Sequence, residues 1–468
     1  MTTAPESDKM DLQRTEYYGE DCRAASSLGG IAMKKIAKAL TAILLLSALL
    51  TGCAKSDPET PADSATATAE PSGTTNLVWD GSVASGFSGG SGTAEDPYRI
   101  LSAAELAYLA ETVNSGKETY SGKTVALAQD IDLNQIEWTP IGDGIHAFMG
   151  NFNGNGHTIK NLKISQTIRY SYEYPTGRKA VYCDSGLFAA VQDASIQNMK
   201  IDGVAIQISD TKSGDTHSVG VLCGTVRTYQ SISVISNIAI KNAAITANFP
   251  ANRRPQWLSI GGVIGKVYAN NQTTTTISLV ETDSTLSLEN GYGANNYMGT
   301  VLGSSNMMDS TFRMENCAAY QILSVNPEQY YYTVTNNFSG AIGNAQASSK
   351  PFTVKNVFSK ATLRKPALDS TLTAPPAIVS HVIIGEAYYF VAQDDPAAVG
   401  YQFENLFGCV VHTDSKAGGK QILTDLYVLP EGHTFSQINC CGCEVLPENH
   451  GLDATIWNLT DLENPRLK

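Results

Sequence analysis

From about residue 120 onward, apolar and polar side chains alternate in short runs, and Gly or Asn breaks each run. The stretch "FMGNFNGNGHTIKNL" (148–162) shows the pattern. Asn153-Gly154-Asn155-Gly156 interrupts the chain, and an alternating run follows from His157. A period of two is the mark of a half-buried strand. Nearer the start the period changes. Leu106, Leu109, Ala110 and Val113 recur at helical spacing behind Ser102-Ala103-Ala104-Glu105, a capping box. This spacing predicts a helix over 103–114.

The breaks recur. An apolar residue, a variable one and Asn appear together at Ile159-Lys160-Asn161, Ile196-Gln197-Asn198 and Ile235-Ser236-Asn237. They return at Met314-Glu315-Asn316, Val354-Lys355-Asn356 and Phe403-Glu404-Asn405. The Asn-to-Asn steps are 37, 39, 79, 40 and 49 residues. The long step spans two repeats, and its missing member falls in Ile277-Ser278-Leu279-Val280, which keeps the strand and loses the Asn. Glycine blocks precede the asparagines: Gly186-Leu187-Phe188, Gly220-Val221-Leu222-Cys223-Gly224, Gly261-Gly262-Val263-Ile264-Gly265, Gly299-Thr300-Val301-Leu302-Gly303 and Ser339-Gly340-Ala341-Ile342-Gly343. A third short run follows each Asn, such as Val204-Ala205-Ile206-Gln207-Ile208.

Repetition near 40 residues means a solenoid or a propeller. Three short strands per unit favour an all-β, right-handed parallel β-helix with an N-terminal capping helix. The glycines are expected to supply positive φ at its corners, and stacked asparagines to bond from turn to turn, with Asn161 the first rung. His157 reads as a structural, hydrogen-bonded residue. The last residues are expected to close the far end, with Trp457 and Leu459 packed on the final turn.

These features resemble bacterial cell-surface lipoproteins with GLUG motifs. The resemblance covers roughly residues 97–410. It is carried by the Gly blocks, "DPYRILSAAELAYLAETVN" (96–114), "DIDL" (130–133), "WTPIG" (138–142) and "FMGNFNGNGHTIKNL", and also by the closing "IWNLTDLENPRLK" (456–468). The chain has Asn153 where that family usually has Asp, and Gly186-Leu187-Phe188-Ala189 lacks the final Gly. The resemblance implies the β-helix fold and leaves the biochemical role open.

The front of the chain has its own logic. Residues 1–32 read as an overcalled start, with Met33 the initiator. Met33-Lys34-Lys35-Ile36-Ala37-Lys38, an apolar run to Leu50, and Leu50-Thr51-Gly52-Cys53 form a signal peptide over 33–52. The apolar run is shorter than the roughly 20 residues a membrane span requires. Cys53 is placed as the lipidated cysteine of a bacterial lipoprotein is. Residues 53–76 are Ala, Ser, Thr, Pro and acidic residues with almost no large apolar side chain, which reads as a flexible tether. Residues 77–412 are then the β-helix, and 413–468 its C-terminal turns and cap. The chain is expected outside the cytoplasm, surface-exposed and held to a bacterial membrane by lipid.

The formal net charge of −13 has no basic stripe to offset it, so nucleic acid is not an expected partner. No cofactor is expected. Neither is a metal site, since Cys440-Cys441-Gly442-Cys443 lacks the spaced second pair of zinc sites. Gly86-Phe87-Ser88-Gly89-Gly90 matches a hydrolase pattern but lies in a loop, without the strand and helix that chemistry needs. Asp184, Asp210 and Asp215, with His217 nearby, read as solvated loop charges rather than the paired carboxylates of a glycosidase.

The candidate binding side comes from the insertions. Residues 165–185, 209–217, 248–258, 289–297, 326–337 and 364–379 all fall between the third run of one repeat and the Gly block of the next. Equivalent insertions land on one side of a solenoid. That side carries Arg169, Tyr170, Tyr172, Tyr174, Trp257, Tyr292, Tyr330, Tyr331 and Tyr332, aromatic groups suited to an extracellular glycan or a protein partner. A polysaccharide lyase or glycoside hydrolase on the same fold, and a purely structural envelope protein, are the alternatives.

Overall fold

The computed structural model describes residues 78–173, 179–209, 215–249, 257–289, 295–326, 335–347 and 350–364. Beyond these it describes seven strands of the C-terminal part and a few single residues. The chain divides into two units between Val78 and Trp79, and every strand and helix described here belongs to the unit Trp79–Lys468. The expected signal peptide (33–52), Cys53 and the expected tether lie outside the described residues. Among those described, no helix is long and apolar enough to cross a membrane.

The chain is a parallel β-solenoid. Each turn adds one strand to each of three sheets. In one turn these are Thr216–Gly220, Cys223–Thr228 and Ile232–Asn248, and in the next Trp257–Gly261, Ile264–Ala269 and Thr274–Glu289. Like strands of successive turns pair in parallel. We call these the loop-side sheet, the third sheet and the long-strand sheet. Rows of equivalent apolar residues fill the interior. Ile196, Ile235, Ile277, Met314 and Val354 are register partners and all buried, as are Met199, Ile238, Val280, Cys317 and Val357. One alternating strand cannot bury its apolar face alone; stacking turns makes that face a continuous core.

The partition of strands differs from expectation. The run around each Asn and the run after it are one strand of 13–17 residues in turns such as Ile232–Asn248, bent at the Asn rather than ended by it. The extra strand precedes the Gly block, so the expected insertions at 165–185, 209–217, 289–297 and 326–337 partly belong to the loop-side sheet.

The glycine blocks also work differently. Gly220, Gly261, Gly265, Gly299, Gly303 and Gly343 are absent from the left-handed region. What they lack is room. A Cβ on Gly303 would sit 2.5 Å from the Gly265 carbonyl oxygen, and one on Gly343 would sit 2.5 Å from that of Gly303. The corners stack backbone on backbone, so only glycine fits. The left-handed conformation belongs to the asparagines: Asn198, Asn237, Asn316 and Asn356 have φ of 52–57°.

The amide ladder runs as expected but starts elsewhere. Asn198 Nδ2 donates to Asn153 Oδ1 at 3.1 Å, Asn237 to Asn198 at 2.8 Å, and Asn356 to Asn316 at 3.1 Å. Asn161 is in a second column, donating to Asp132 Oδ1 at 2.8 Å and facing Gly203 of the next turn. The loop of the opening motif is a tight turn. Asn155 and Gly156 are both left-handed, and the His157 N–H donates to the Gly154 carbonyl at 2.8 Å. His157 is half-buried beside Asp130, with Nδ1 to Oδ1 at 3.4 Å.

The helix α1 spans Ala103–Asn114. Ser102 caps it by accepting from the Glu105 N–H, and the Glu105 carboxylate accepts from Leu101 N–H and Ser88 Oγ. Leu106, Leu109, Ala110 and Val113 are buried against the first strands. Trp457 is buried, but its strand Trp457–Asn458 pairs antiparallel with Arg466–Leu467. Arg466 reaches Glu281 at 2.8 Å and lies 4.2 Å from the Tyr320 ring centroid. The Arg466–Leu467 strand therefore lies beside the long-strand sheet, where a half-buried arginine meets the buried Glu281 carboxylate. Leu459 lies outside the described residues.

Candidate functional site

Four insertions fall between the end of a long strand and the start of a loop-side strand, between Ile208 and Thr216, Asn248 and Trp257, Glu289 and Asn295, and Asn326 and Thr335; most of their residues lie outside the described ones. The first insertion is itself ordered as a hairpin. Ile168–Glu173 pairs antiparallel with Lys179–Ser185 and forms the edge of the loop-side sheet.

Register brings two of the expected residues into one row. Tyr170 is opposite Tyr182, which pairs with Thr216, then Trp257, then Asn295. Tyr170 and Trp257 are thus three strands apart, about 14 Å at the usual strand spacing.

The structure separates these residues by what they touch. Tyr170 stacks on Tyr182 with ring centroids 5.3 Å apart, and its hydroxyl accepts from the Arg227 guanidinium, which lies 5.3 Å from the ring centroid. Its ring occupies the space that a Cβ on Gly144 would fill. Burial raises its hydroxyl pKa well above the ordinary range. Trp257 stacks on Tyr297 at 6.2 Å. Arg169 holds Asp215 at 2.6 Å. Tyr172, two residues beyond Tyr170, is 41% exposed. Tyr174, Tyr292, Tyr330, Tyr331 and Tyr332 lie outside the described residues. Among the described candidates Tyr172 is the one presented to solvent; the other three hold the hairpin and its sheet together.

Asp184 and Asp215 are not solvated loop charges. Asp184 is on a strand and buried, with Thr225 Oγ1 donating at 3.0 Å and Arg227 3.8 Å away. Burial raises its pKa and Arg227 opposes the rise. Asp215 is buried and tied to Arg169. His217 is buried on the strand Thr216–Gly220 against Phe249, with ring centroids 5.2 Å apart. Burial, and then the charge of Arg169, lower its pKa to about 3, so it is neutral at physiological pH. Cys183 is buried beside it. Asp210 lies outside the described residues. An arginine stands against each of the two carboxylates.

No family model matches the chain. A protein of Evansella cellulosilytica, provisionally named a Gly-rich membrane protein, is 29% identical over 156 residues, covering 33% of this chain and 16% of its own. Halomucin of Haloquadratum walsbyi is 27% identical over 215 residues, covering 43% of this chain and 2% of its own. The chain therefore spans a small fraction of each relative. Among solved structures, a Bacteroides ovatus protein provisionally named an immunoglobulin A1 protease matches with a TM-score of 0.52 and 18% identity. That match covers 82% of this chain and 95% of the other. At that identity the likeness supports the fold alone.

Proposed function

We propose that the chain is a bacterial surface lipoprotein of the GLUG-motif type, anchored through Cys53, whose solenoid presents its loop side to a glycan or a protein. The observation that carries the reading is the convergence of successive insertions on the start of one sheet, whose edge hairpin exposes Tyr172. Sites for extended ligands favour aromatic groups on a rigid support, and the paired strands beneath the hairpin provide one. The charge, length and cysteine placement of residues 33–53 support the anchor, and the names of the two relatives, a Gly-rich membrane protein and halomucin, accord with a surface location.

Two measurements test this. Metabolic labelling with a radioactive fatty acid should mark the full chain and fail to mark Cys53→Ala. Binding of the full chain to an array of bacterial and host polysaccharides should saturate, and Tyr172→Ala should weaken it at least about tenfold, the loss of one well-placed aromatic contact. Unchanged binding in Tyr172→Ala would move the site away from the hairpin. Loss of sugar signal with time would show cleavage instead.

A further inference from the structure

We propose that Cys183, Asp215 and His217 form a binding site for a divalent cation of the zinc class. Cys183 lies on Lys179–Ser185, and His217 is its direct partner on the parallel strand Thr216–Gly220. Asp215 immediately precedes that strand, two residues from His217. One ligand atom from each, the thiol sulfur, a carboxylate oxygen and an imidazole nitrogen, lie within 4.8 Å of one another, and all three residues are buried. Thiolate, imidazole and carboxylate together are a donor set for a borderline-soft ion. Bonds of about 2.0–2.3 Å in a tetrahedron put donors roughly 3.3–3.7 Å apart, so a small contraction completes the set. Three protein donors leave the fourth corner to water or to an incoming ligand.

The surroundings fit this use. Arg169 is the cross-strand partner of Cys183 and donates to Asp215 Oδ2 at 2.6 Å. A carboxylate has lone pairs for both an arginine and a cation, and a bonded outer partner fixes its orientation. The arginine charge opposes a cation, but thiolate and carboxylate outweigh it, leaving a formal −1 with the imidazole neutral. Phe249 packs on the His217 ring and limits its rotation. The fold does not demand these residues, since the register partners of His217 in the next two turns are Leu258 and Asn296.

The test uses the full chain, stripped with a chelator and dialysed against zinc, then analysed by mass spectrometry for metal content. About one zinc per chain is expected. With cobalt(II) in place of zinc, a near-ultraviolet thiolate-to-cobalt charge-transfer band is expected. Cys183→Ser should abolish that band, and His217→Gln should weaken cobalt affinity at least about tenfold. Arg169→Gln keeps all three donors and should keep the band. If Cys183→Ser fails to fold by circular dichroism, the cobalt spectrum of the unaltered chain decides. No zinc above background, cobalt bound without the thiolate band, or undiminished zinc in folded Cys183→Ser would each overturn the site.

Discussion

Leu279 stands opposite Asn237 in the Asn column and shares its backbone conformation, with φ of 55° against 53°, yet carries no amide. The column runs from Asn237 through Leu279 to Asn316, so the ladder is interrupted at one rung. An L residue is strained there by about 1–2 kcal/mol because its Cβ crowds the following carbonyl oxygen, and Asn offsets much of that through local hydrogen bonds. Leu279→Asn should therefore stabilise the solenoid by about 1 kcal/mol after loss of the half-buried leucine contacts, seen as a higher thermal midpoint. A lower midpoint would mean that the leucine packs for more than the conformation costs.

The glycine corners make a second prediction, because the two explanations for glycine differ in what rescues it. Asn suits a left-handed position but not a crowded one. A Cβ on Gly265 would collide with the Val219 backbone nitrogen. Gly265→Ala and Gly265→Asn should both destabilise by more than about 1–3 kcal/mol in denaturant melts. Gly86, which has no neighbour within 4 Å of its built Cβ and no positive φ, should accept Ala within about 0.5 kcal/mol.

Tyr170 and Tyr172 should behave as opposites. Tyr170→Ala removes a ring stacked on Tyr182 and bonded to Arg227. It should cost about 3 kcal/mol or more in stability, as large-to-small aromatic changes do. Tyr172→Ala, at a residue 41% exposed, should cost less, about 1 kcal/mol, while reducing ligand binding. If both changes only alter stability, the hairpin is a brace and the loop-side site is elsewhere.

At the first turn, Tyr120 sets an alkaline limit. It is buried with its hydroxyl 2.8 Å from Thr112 Oγ1 on α1, and burial raises its pKa from 10.0 to about 12. Between those values the unfolded chain releases a proton that the folded chain retains. Stability is therefore full below pH 10 and falls as pH rises toward 12. Tyr120→Phe should flatten that part of the stability curve, measured by urea unfolding, while losing about 1 kcal/mol at neutral pH with the hydrogen bond to Thr112.

Much of the fold was open to reading from residues alone, because it depends on neighbours a few positions away. Alternation, the capping box of α1 and the recurrence of Asn are local chemistry, and they suffice for a solenoid with a capped start. What the sequence left undecided depends on register between turns. Asn153 rather than Asn161 begins the main column because Asn153 pairs with Gln197 and brings its amide to Asn198. A one-residue slip reverses every side chain on a strand, and insertions of unequal length hide the slip. The same cause conceals Cys183 opposite His217, although their separation of 34 positions is close to one repeat. Tyr170 and Tyr172 are alike in sequence, and the approach of Arg227 from the neighbouring sheet, with the Tyr182 stack and the room over Gly144, makes Tyr170 a packed residue while Tyr172 is 41% exposed. The sequence by itself determined the period, the capped helix and the recurring asparagine bends. The tertiary structure decided which residues meet, because contacts across turns depend on how each intervening loop sets the stacking.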